Sequence, residues 1–343
     1  MIFWRNRLKK AILVGLGGRS RHWLANCREH PNVEIVGYVE TAEASIVRAV
    51  DEWDVPAKQI HDSVTAAAAA TDADFVVDVT PPAVHETIAV AAFDCGLHVL
   101  GEKPLSDDFD AAKRVVEAGR AAGVRHMITQ NYRFNPLPRT TRRLLSESCV
   151  GDIAQLDVSL YVDWADNPGS HYVTEPYMFL TDMGIHHFDM MRYTLACKPV
   201  SVQAITWNLP WGWHRGDACQ LIHFEFENSV VATHRGIGCT IGHVPAGHNG
   251  EWRYEGPDGT LTWEGFDLFC TKRHKKDPQV RDQIELDPPA TGDLNPVLCE
   301  FLAALEEDRE PECNATDNLK SMAMVFGAVK SAKEGRRVEL SEL

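Results

Sequence analysis

No stretch of this chain approaches the roughly 20 consecutive apolar residues that a membrane span needs. Positive charge is also scarce: 34 Lys and Arg stand against 49 Asp and Glu, a formal net charge of −15. That balance argues against nucleic acid and against anionic membrane surfaces, both of which call for a basic patch. The nine cysteines include no Cys-x-x-Cys pair, and their odd number leaves one over in any disulfide scheme. They read as small core residues of a protein kept in a reducing compartment. Arg5, Arg7, Lys9 and Lys10 precede an apolar run, yet Gly15, Gly17 and Gly18 break it and no small-residue cleavage site follows. No signal peptide is expected, and the expected location is cytoplasmic. Internal repeats and low-complexity tracts are missing too. What is present is the make-up of an ordinary globular protein. The 343 residues are 44% hydrophobic and 24% charged, enough for about two domains with real cores.

The stretch Lys10-Ala11-Ile12-Leu13-Val14-Gly15-Leu16-Gly17-Gly18-Arg19-Ser20 organises the rest. Its apolar run predicts a strand buried on both faces, and a helix is expected from Arg21 to Arg28. Strand, glycine turn and helix in that order suit a dinucleotide phosphate: Gly15 permits the tight turn, Gly17 lets the backbone approach the pyrophosphate, and the helix start offers N–H groups. Ser20 stands where the third glycine of the pattern is usual. A second apolar run, Val33 to Val39, ends on Glu40. An acidic residue there can hold a ribose 2′-hydroxyl and would repel a 2′-phosphate. Thr41, Ala42 and Glu43 follow, with no arginine among them, so NAD is expected over NADP. The plainer reading of Glu40 is a solvated strand end.

Strand and helix patterns alternate through the first 130 residues, which predicts a parallel sheet wrapped by helices. Ser106 is the expected N-cap of a helix over 107–122. From Asn131 the character changes. After one helix carrying Arg139, Arg142 and Arg143, strand-like runs dominate over 153–162, 200–207, 218–226, 230–234, 252–255 and 260–263, and an antiparallel or mixed sheet is expected. A helix over 181–195 interrupts them, and two helices, 296–306 and 315–333, close the chain. The stretch 236–250, with His243 and His248, reads as a mobile surface loop. Two domains are expected, 1–130 and 131–343.

Two places can do chemistry. Asp182 and His186 are four apart, so on a helix they share a face, and a carboxylate beside an imidazole suits proton exchange near neutral pH. A structural hydrogen-bonded pair is the plain alternative. Adding His187 and Asp189 gives a conceivable metal set, but no further cluster has ligand-like spacing and no metal is expected. Lys103, in Gly101-Glu102-Lys103-Pro104, follows a parallel strand at the edge where open α/β sheets bind ligands; a solvated surface lysine is its plain alternative.

Taken together, these motifs resemble the Gfo/Idh/MocA family, the glucose–fructose oxidoreductase and inositol dehydrogenase group. The matching residues are Gly15 to His22, Thr80-Pro81-Pro82-Ala83-Val84-His85, Glu102-Lys103-Pro104, Asn131-Tyr132-Arg133-Phe134-Asn135-Pro136 and Asp182 to Asp189. The resemblance implies an N-terminal Rossmann domain, a doubly wound parallel sheet, followed by an α+β domain with a large open, mostly antiparallel sheet. It implies reversible hydride transfer between nicotinamide and a secondary alcohol of a sugar or cyclitol. Lys103 would then contact the reacting hydroxyl and the nicotinamide ribose, His186 would take the hydroxyl proton, and Asp182 would orient His186 and bind a neighbouring hydroxyl. Gly15, Gly17, Gly18, Arg19, Glu40, Thr80, Pro81, His85 and Glu102 would line the cofactor.

Tyr177-Met178-Phe179-Leu180 stands where family members often carry glycines, which changes the substrate pocket. Trp164, Trp207, Trp211, Trp213, Trp252 and Trp263 all fall in the second domain. They would suit either sugar stacking or the packing of sheet faces, and Trp164 is the candidate substrate contact. The open sheet needs cover, so a homodimer or homotetramer is expected. Two other functions remain open. An NAD-dependent glycosidase would need a further acid or base, with Tyr161, His171 and Tyr172 as candidates. A non-catalytic NAD-sensing regulator would have no need of Lys103, Asp182 and His186 together.

Overall fold

Ala11, Ile12, Leu13 and Val14 are at most 1% exposed and sit at the centre of a six-stranded parallel sheet. The computed structural model describes residues 8–164, 171–242, 244, 246–273 and 281–343, without the side chains of 171 and 172. The strands are β1 (Lys9–Val14), β2 (Val33–Val39), β3 (Ile60–His61), β4 (Phe75–Asp78), β5 (His98–Gly101) and β6 (His126–Ile128). Their order in the sheet is β3-β2-β1-β4-β5-β6. The chain therefore winds one way from β1 and returns to wind the other way from β4. That reversal leaves a crevice at the carboxyl ends of β1 and β4.

Five helices connect these strands: α1 (Ser20–Glu29), α2 (Glu43–Trp53), α3 (Val64–Ala70), α4 (His85–Asp94) and α5 (Phe109–Ala122). Each boundary has a local cause. Ser63 caps α3 by accepting from the Ala66 N–H, and Gly123 ends α5 in the left-handed region at φ 67°. The N-cap of α5 is Asp108, whose carboxylate accepts from the Ala111 N–H at 2.7 Å, and not Ser106. Ser106 instead accepts from the Asp108 N–H. A carboxylate one residue from the helix start outcompetes the hydroxyl at the favourable dipole end.

The chain separates into two compact units. The first runs to Asn131 and takes back Pro289–Leu319; the second is Tyr132–Pro288 with Lys320–Leu343. The segment 289–319, read from the sequence as part of the second domain, thus packs with the first. It includes α8 (Pro296–Glu306), whose Phe301 meets Phe75 of β4 edge to face at 5.3 Å. The unit boundary falls inside α9 (Ala315–Glu334).

The second unit holds α6 (Pro136–Ser146), α7 (Ile185–Leu195) and a nine-stranded sheet. Its strands are β7 (Gln155–Tyr161), β8 (Pro199–Trp207), β9 (Cys219–Phe226), β10 (Val231–Ile237), β11 (Glu251–Gly256), β12 (Gly259–Glu264), β13 (Asp267–Lys272), β14 (Arg281–Ile284) and β15 (Val338–Glu339). The order is β14-β13-β12-β11-β7-β10-β9-β8-β15, antiparallel except where β10 runs parallel to β7. Alternate residues of β7, β9 and β11 are buried, as a sheet covered on one side requires. Trp252 and Trp263 are each 1% exposed and pack ring to ring at 4.7 Å, so they belong to this core. The opposite face is mostly polar, but Ile205 and Leu221, opposite each other in register, are 61% and 47% exposed.

A buried ionic knot ties α7 and α9 to the turn before α6. Arg133 grips both Asp189 oxygens at 2.5 and 2.6 Å, Ser321 donates to Asp189 at 2.7 Å, and Arg192 donates to Ser321 at 2.8 Å. Such a knot makes a helix position hard to alter, because removing one partner strands a buried charge at a cost of about 3–5 kcal/mol.

Candidate active site

The glycine turn at the end of β1 is shaped by contact on one side and openness on the other. Gly15 has φ 87°, and a Cβ there would lie 3.1 Å from the Val79 carbonyl carbon and oxygen and 3.2 Å from the Thr80 methyl. Only glycine fits. Among the described residues, nothing lies within 4 Å of where a Cβ of Gly17 or Gly18 would be. The backbone there stands open to approach, and α1 follows at Ser20 with no side-chain cap on its first N–H groups. A dinucleotide pyrophosphate fits this cradle.

Glu40 closes the same turn. Its carboxylate accepts from the Leu16 N–H at 2.8 Å and from the N–H groups of Thr41 and Ala42 at 2.8 and 2.9 Å. It is therefore not a merely solvated strand end. An ionised carboxylate offers about four lone-pair sites, so acceptor capacity remains for a ribose hydroxyl. Arg48, on α2, donates to the Leu16 carbonyl at 2.9 Å. No arginine adjoins Glu40 in sequence, but the fold brings Arg48 to the turn.

The ends of β4 and β5 complete this edge. Asp78 is 2% exposed and accepts from the Thr80 N–H at 3.0 Å and from its hydroxyl at 2.6 Å. Burial pushes the Asp78 carboxyl up, against the nearby His85 and the two Thr80 bonds, which favour its charged form. The Thr80 hydroxyl is thus turned back on the strand end, and its methyl faces Gly15. His85, expected to line the cofactor, is buried. Its Nδ1 and Nε2 each lie 2.8 Å from a carbonyl, those of Pro104 and Thr80, so its polar atoms tie two loops together. Glu102 accepts from the Trp23 indole at 2.7 Å, from Arg19 Nε at 3.1 Å and from the Lys103 N–H at 3.3 Å. This links the half-buried Lys103 to the start of α1.

In the second unit, Asp182 does not lie on a regular α-helix. Residues Phe179–Gly184 form a π-helical turn that passes into α7 at Ile185. The wider turn changes the simple i, i+4 relation to His186, and π turns recur where function demands unusual geometry. His186 is 6% exposed and stacks face to face on Tyr132, centroids 4.3 Å apart and planes 13° apart. Trp164 packs its ring edge-on to Phe179 at 5.4 Å, against a cluster that includes Leu160, Met178 and Met183.

The conceivable metal ligands are engaged elsewhere. His187 bonds the His248 carbonyl and His234, while Asp189 belongs to the buried knot. Among the described residues no cluster of three His, Cys, Asp or Glu is placed to hold a metal. None of the nine cysteines is in a disulfide, and six are buried. Also among the described residues, no helix is long and apolar enough to cross a membrane. Tyr161 lies under Arg235, the guanidinium 5.5 Å from its ring. The side chains of His171 and Tyr172, and all of His243, lie outside the described residues.

Residues 9–130 match the oxidoreductase family described as Gfo/Idh/MocA, NAD-binding Rossmann fold, and residues 138–243 match its C-terminal domain. The chain belongs to the Gfo/Idh/MocA oxidoreductases. It is 25% identical to D-apiose dehydrogenase of Paraburkholderia graminis over 97% of this chain and 90% of that one. It is 23% identical to inositol 2-dehydrogenase of Rhizobium meliloti over 88% and 93%. Among solved structures, an oxidoreductase from Agrobacterium radiobacter in complex with NAD+, L-tartaric acid and magnesium superposes with a TM-score of 0.85. It shares 18% identity, with 97% and 99% of the two chains covered. As a Gfo/Idh/MocA protein the chain is an NAD-binding oxidoreductase, and the glycine turn and Glu102 fall within the matched Rossmann segment. Sequence reading missed Trp23 and Arg48, whose partners Glu102 and Leu16 lie far along the chain, and Asp78, which reads as part of a buried strand until Thr80 is seen to turn back on it. Tyr132 was visible only as part of a motif.

Proposed function

We propose that this protein is an NAD-dependent dehydrogenase that moves a hydride between nicotinamide and a secondary alcohol of a sugar or cyclitol. The observation that carries the reading is Glu102 beside Lys103 at the carboxyl end of β5, bonded back to Trp23 and Arg19 at the phosphate turn. Relatives named for apiose and inositol support the substrate class. Gly15, Gly17, Gly18 and Arg19 hold the pyrophosphate, Glu40 the adenosine ribose, and Thr80, Pro81, His85 and Glu102 shape the nicotinamide end. When bound, the nicotinamide ring supplies the hydride chemistry. Lys103 holds the reacting hydroxyl oxygen as a fixed positive charge, and His186 takes its proton. Asp182 orients the imidazole and binds a neighbouring hydroxyl. Trp164 offers a ring face to the sugar.

The test is a panel of monosaccharides and cyclitols with NAD and with NADP, followed by absorbance of the reduced nicotinamide. At least one substrate is expected to reduce NAD. A panel in which neither cofactor is reduced, while NADH still binds, would overturn the reading.

Glu40 favours NAD because a 2′-phosphate would meet its charge. Glu40→Ala is expected to raise KM for NAD about tenfold, the worth of a charged hydrogen bond. KM for NADP should rise less, since the turn loses support for both cofactors but repulsion is relieved for one. The ratio of the two is the readout, and an unchanged ratio would remove Glu40 from the ribose. Ile205 and Leu221 on the open sheet face favour a homodimer or homotetramer. Light scattering that gives one chain's mass, 38.3 kDa, at micromolar concentration would refute the assembly.

A further inference from the structure

Helix α7 carries two consecutive histidines that turn in different directions. His186 stacks on Tyr132, whereas His187 is fully buried against the sheet. His187 Nε2 lies 2.9 Å from the His248 carbonyl, which can only accept, so that nitrogen carries the proton. Its Nδ1 is then the bare acceptor, 3.1 Å from His234 Nε2, which must donate. His234 Nδ1 in turn accepts from the Gln220 amide at 3.1 Å. One terminal carbonyl thereby fixes the tautomer of both rings and the direction of the whole chain, from Gln220 through His234 and His187 to the loop at His248. Burial keeps both rings neutral, pushing His187 down to about 4 and His234 well below its ordinary value.

This chain is costly. Among the described residues the buried Gln220 side-chain oxygen has no hydrogen-bond partner, so the cost of taking it out of water is uncompensated. An apolar residue of the same size would avoid that cost, so the location of Gln220 matters. Its amide nitrogen lies 3.7 Å from where a Cβ of Gly184 would be, at the last residue of the π turn that carries Asp182. The start of that turn is seated on the same strands. Phe179 fills the space that side chains at Gly236 and Gly238 would take. The π turn is thus seated on the sheet at Phe179, passes Gln220 at Gly184, where the lack of a side chain leaves room for the amide, and is followed within α7 by the buried His187. Without that seating, relaxation to α-helical bonding would slip the register and swing Asp182 about 100° around the axis relative to His186.

We propose that Gln220, His234 and His187 form a positioning device that holds the π turn and so aligns Asp182 and His186. The proposal rests on the dehydrogenase reading only for its kinetic arm. His187→Leu removes both bonds, His187→Gln keeps a donor and an acceptor, and Gln220→Leu removes the first donor together with the unpaired oxygen. For His187→Leu and Gln220→Leu, kcat is expected to fall about tenfold or more with KM for NAD unchanged, and His187→Gln should restore it to within about threefold. Gln220→Leu should melt within a few degrees of the parent, so a merely structural role predicts full activity for it. The second readout needs no substrate. The imidazole Cε1–H NMR signal of His186, assigned by its loss in His186→Gln, should shift in both leucine variants and return in His187→Gln. Folded leucine variants with the parent kcat and an unmoved His186 signal would overturn the proposal. If the parent oxidises no sugar, the dehydrogenase reading fails by itself and the NMR signal alone decides this one. Should His187→Leu fail to fold, Gln220→Leu carries both readouts.

Discussion

Lys103→Ala is expected to lower kcat by about 10²–10³-fold, the usual cost of removing one preorganised group that faces developing charge. The ammonium stands at the carboxyl end of β5, and its backbone N–H is anchored by Glu102. As a hydride leaves the carbinol carbon and its proton is drawn away, negative charge gathers on the oxygen. A fixed cation beside that oxygen lowers the barrier without reorganising, whereas water filling the truncated site must reorient. Cofactor affinity should fall only slightly, because one expected contact to the nicotinamide ribose is lost while the Gly15–Gly18 turn and the Glu40 bonds to Leu16, Thr41 and Ala42 do not involve the lysine side chain. NADH fluorescence titration should therefore give a Kd within about threefold of the parent, below 1 kcal/mol. Turnover near the parent value would take Lys103 out of the mechanism. A parallel loss of NADH binding would move it from chemistry to cofactor retention.

Stability is expected to fall steeply as pH drops from about 6.5 towards 4. His126 is pushed down to about 3 and His187 to about 4 by burial, and His234 lies well below its ordinary value for the same reason. All three stay neutral in the native protein, while in the unfolded chain they take up protons below about 6.5. The unfolded state then binds more protons, so the stability they permit is whole above pH 6.5 and is lost as pH falls towards the native values. Each group contributes up to about 1.4 kcal/mol per pH unit, and the three together approach about 4. Asp78 works the other way: burial raises its carboxyl, the folded state keeps that proton, and part of the loss is offset. A net stability of about 5–15 kcal/mol cannot absorb such a slope for long, and unfolding should set in near pH 5. Denaturant midpoints at pH 7.5, 6.5 and 5.5 would measure this. Equal midpoints would mean that the three rings have access to protons in the native state.

What could be read in the sequence was what repeats locally. The apolar run Ala11 to Val14, the glycine turn and Ser63 before an alanine-rich helix each announce a backbone conformation through neighbouring residues. α8 was legible to the residue, since Asn295 and Pro296 mark its start so plainly. β13 and β14 were missed: β13 pairs on β12, and β14, whose Arg281 and Asp282 lack an apolar rhythm, pairs only because β13 lies beside it. The π turn escaped for a related reason. Its start is seated where Phe179 fills the space over Gly236 and Gly238, far along the chain, and no pattern within Phe179–Gly184 encodes that seat. Likewise, Glu40 is legible as an acidic strand end, but its grip on the Leu16 N–H belongs to the folded sheet.

The return of Pro289–Leu319 to the first unit bears on how such proteins can be cut and recombined. The backbone passes from one unit to the other three times, at 131, at 288 and within α9. A fragment ending at 131 would lack α8 and leave Phe75 facing solvent where Phe301 packs. Exchanging the whole substrate half between relatives by gene shuffling therefore takes three breakpoints, and a single junction at 131 yields a nucleotide-binding piece without α8.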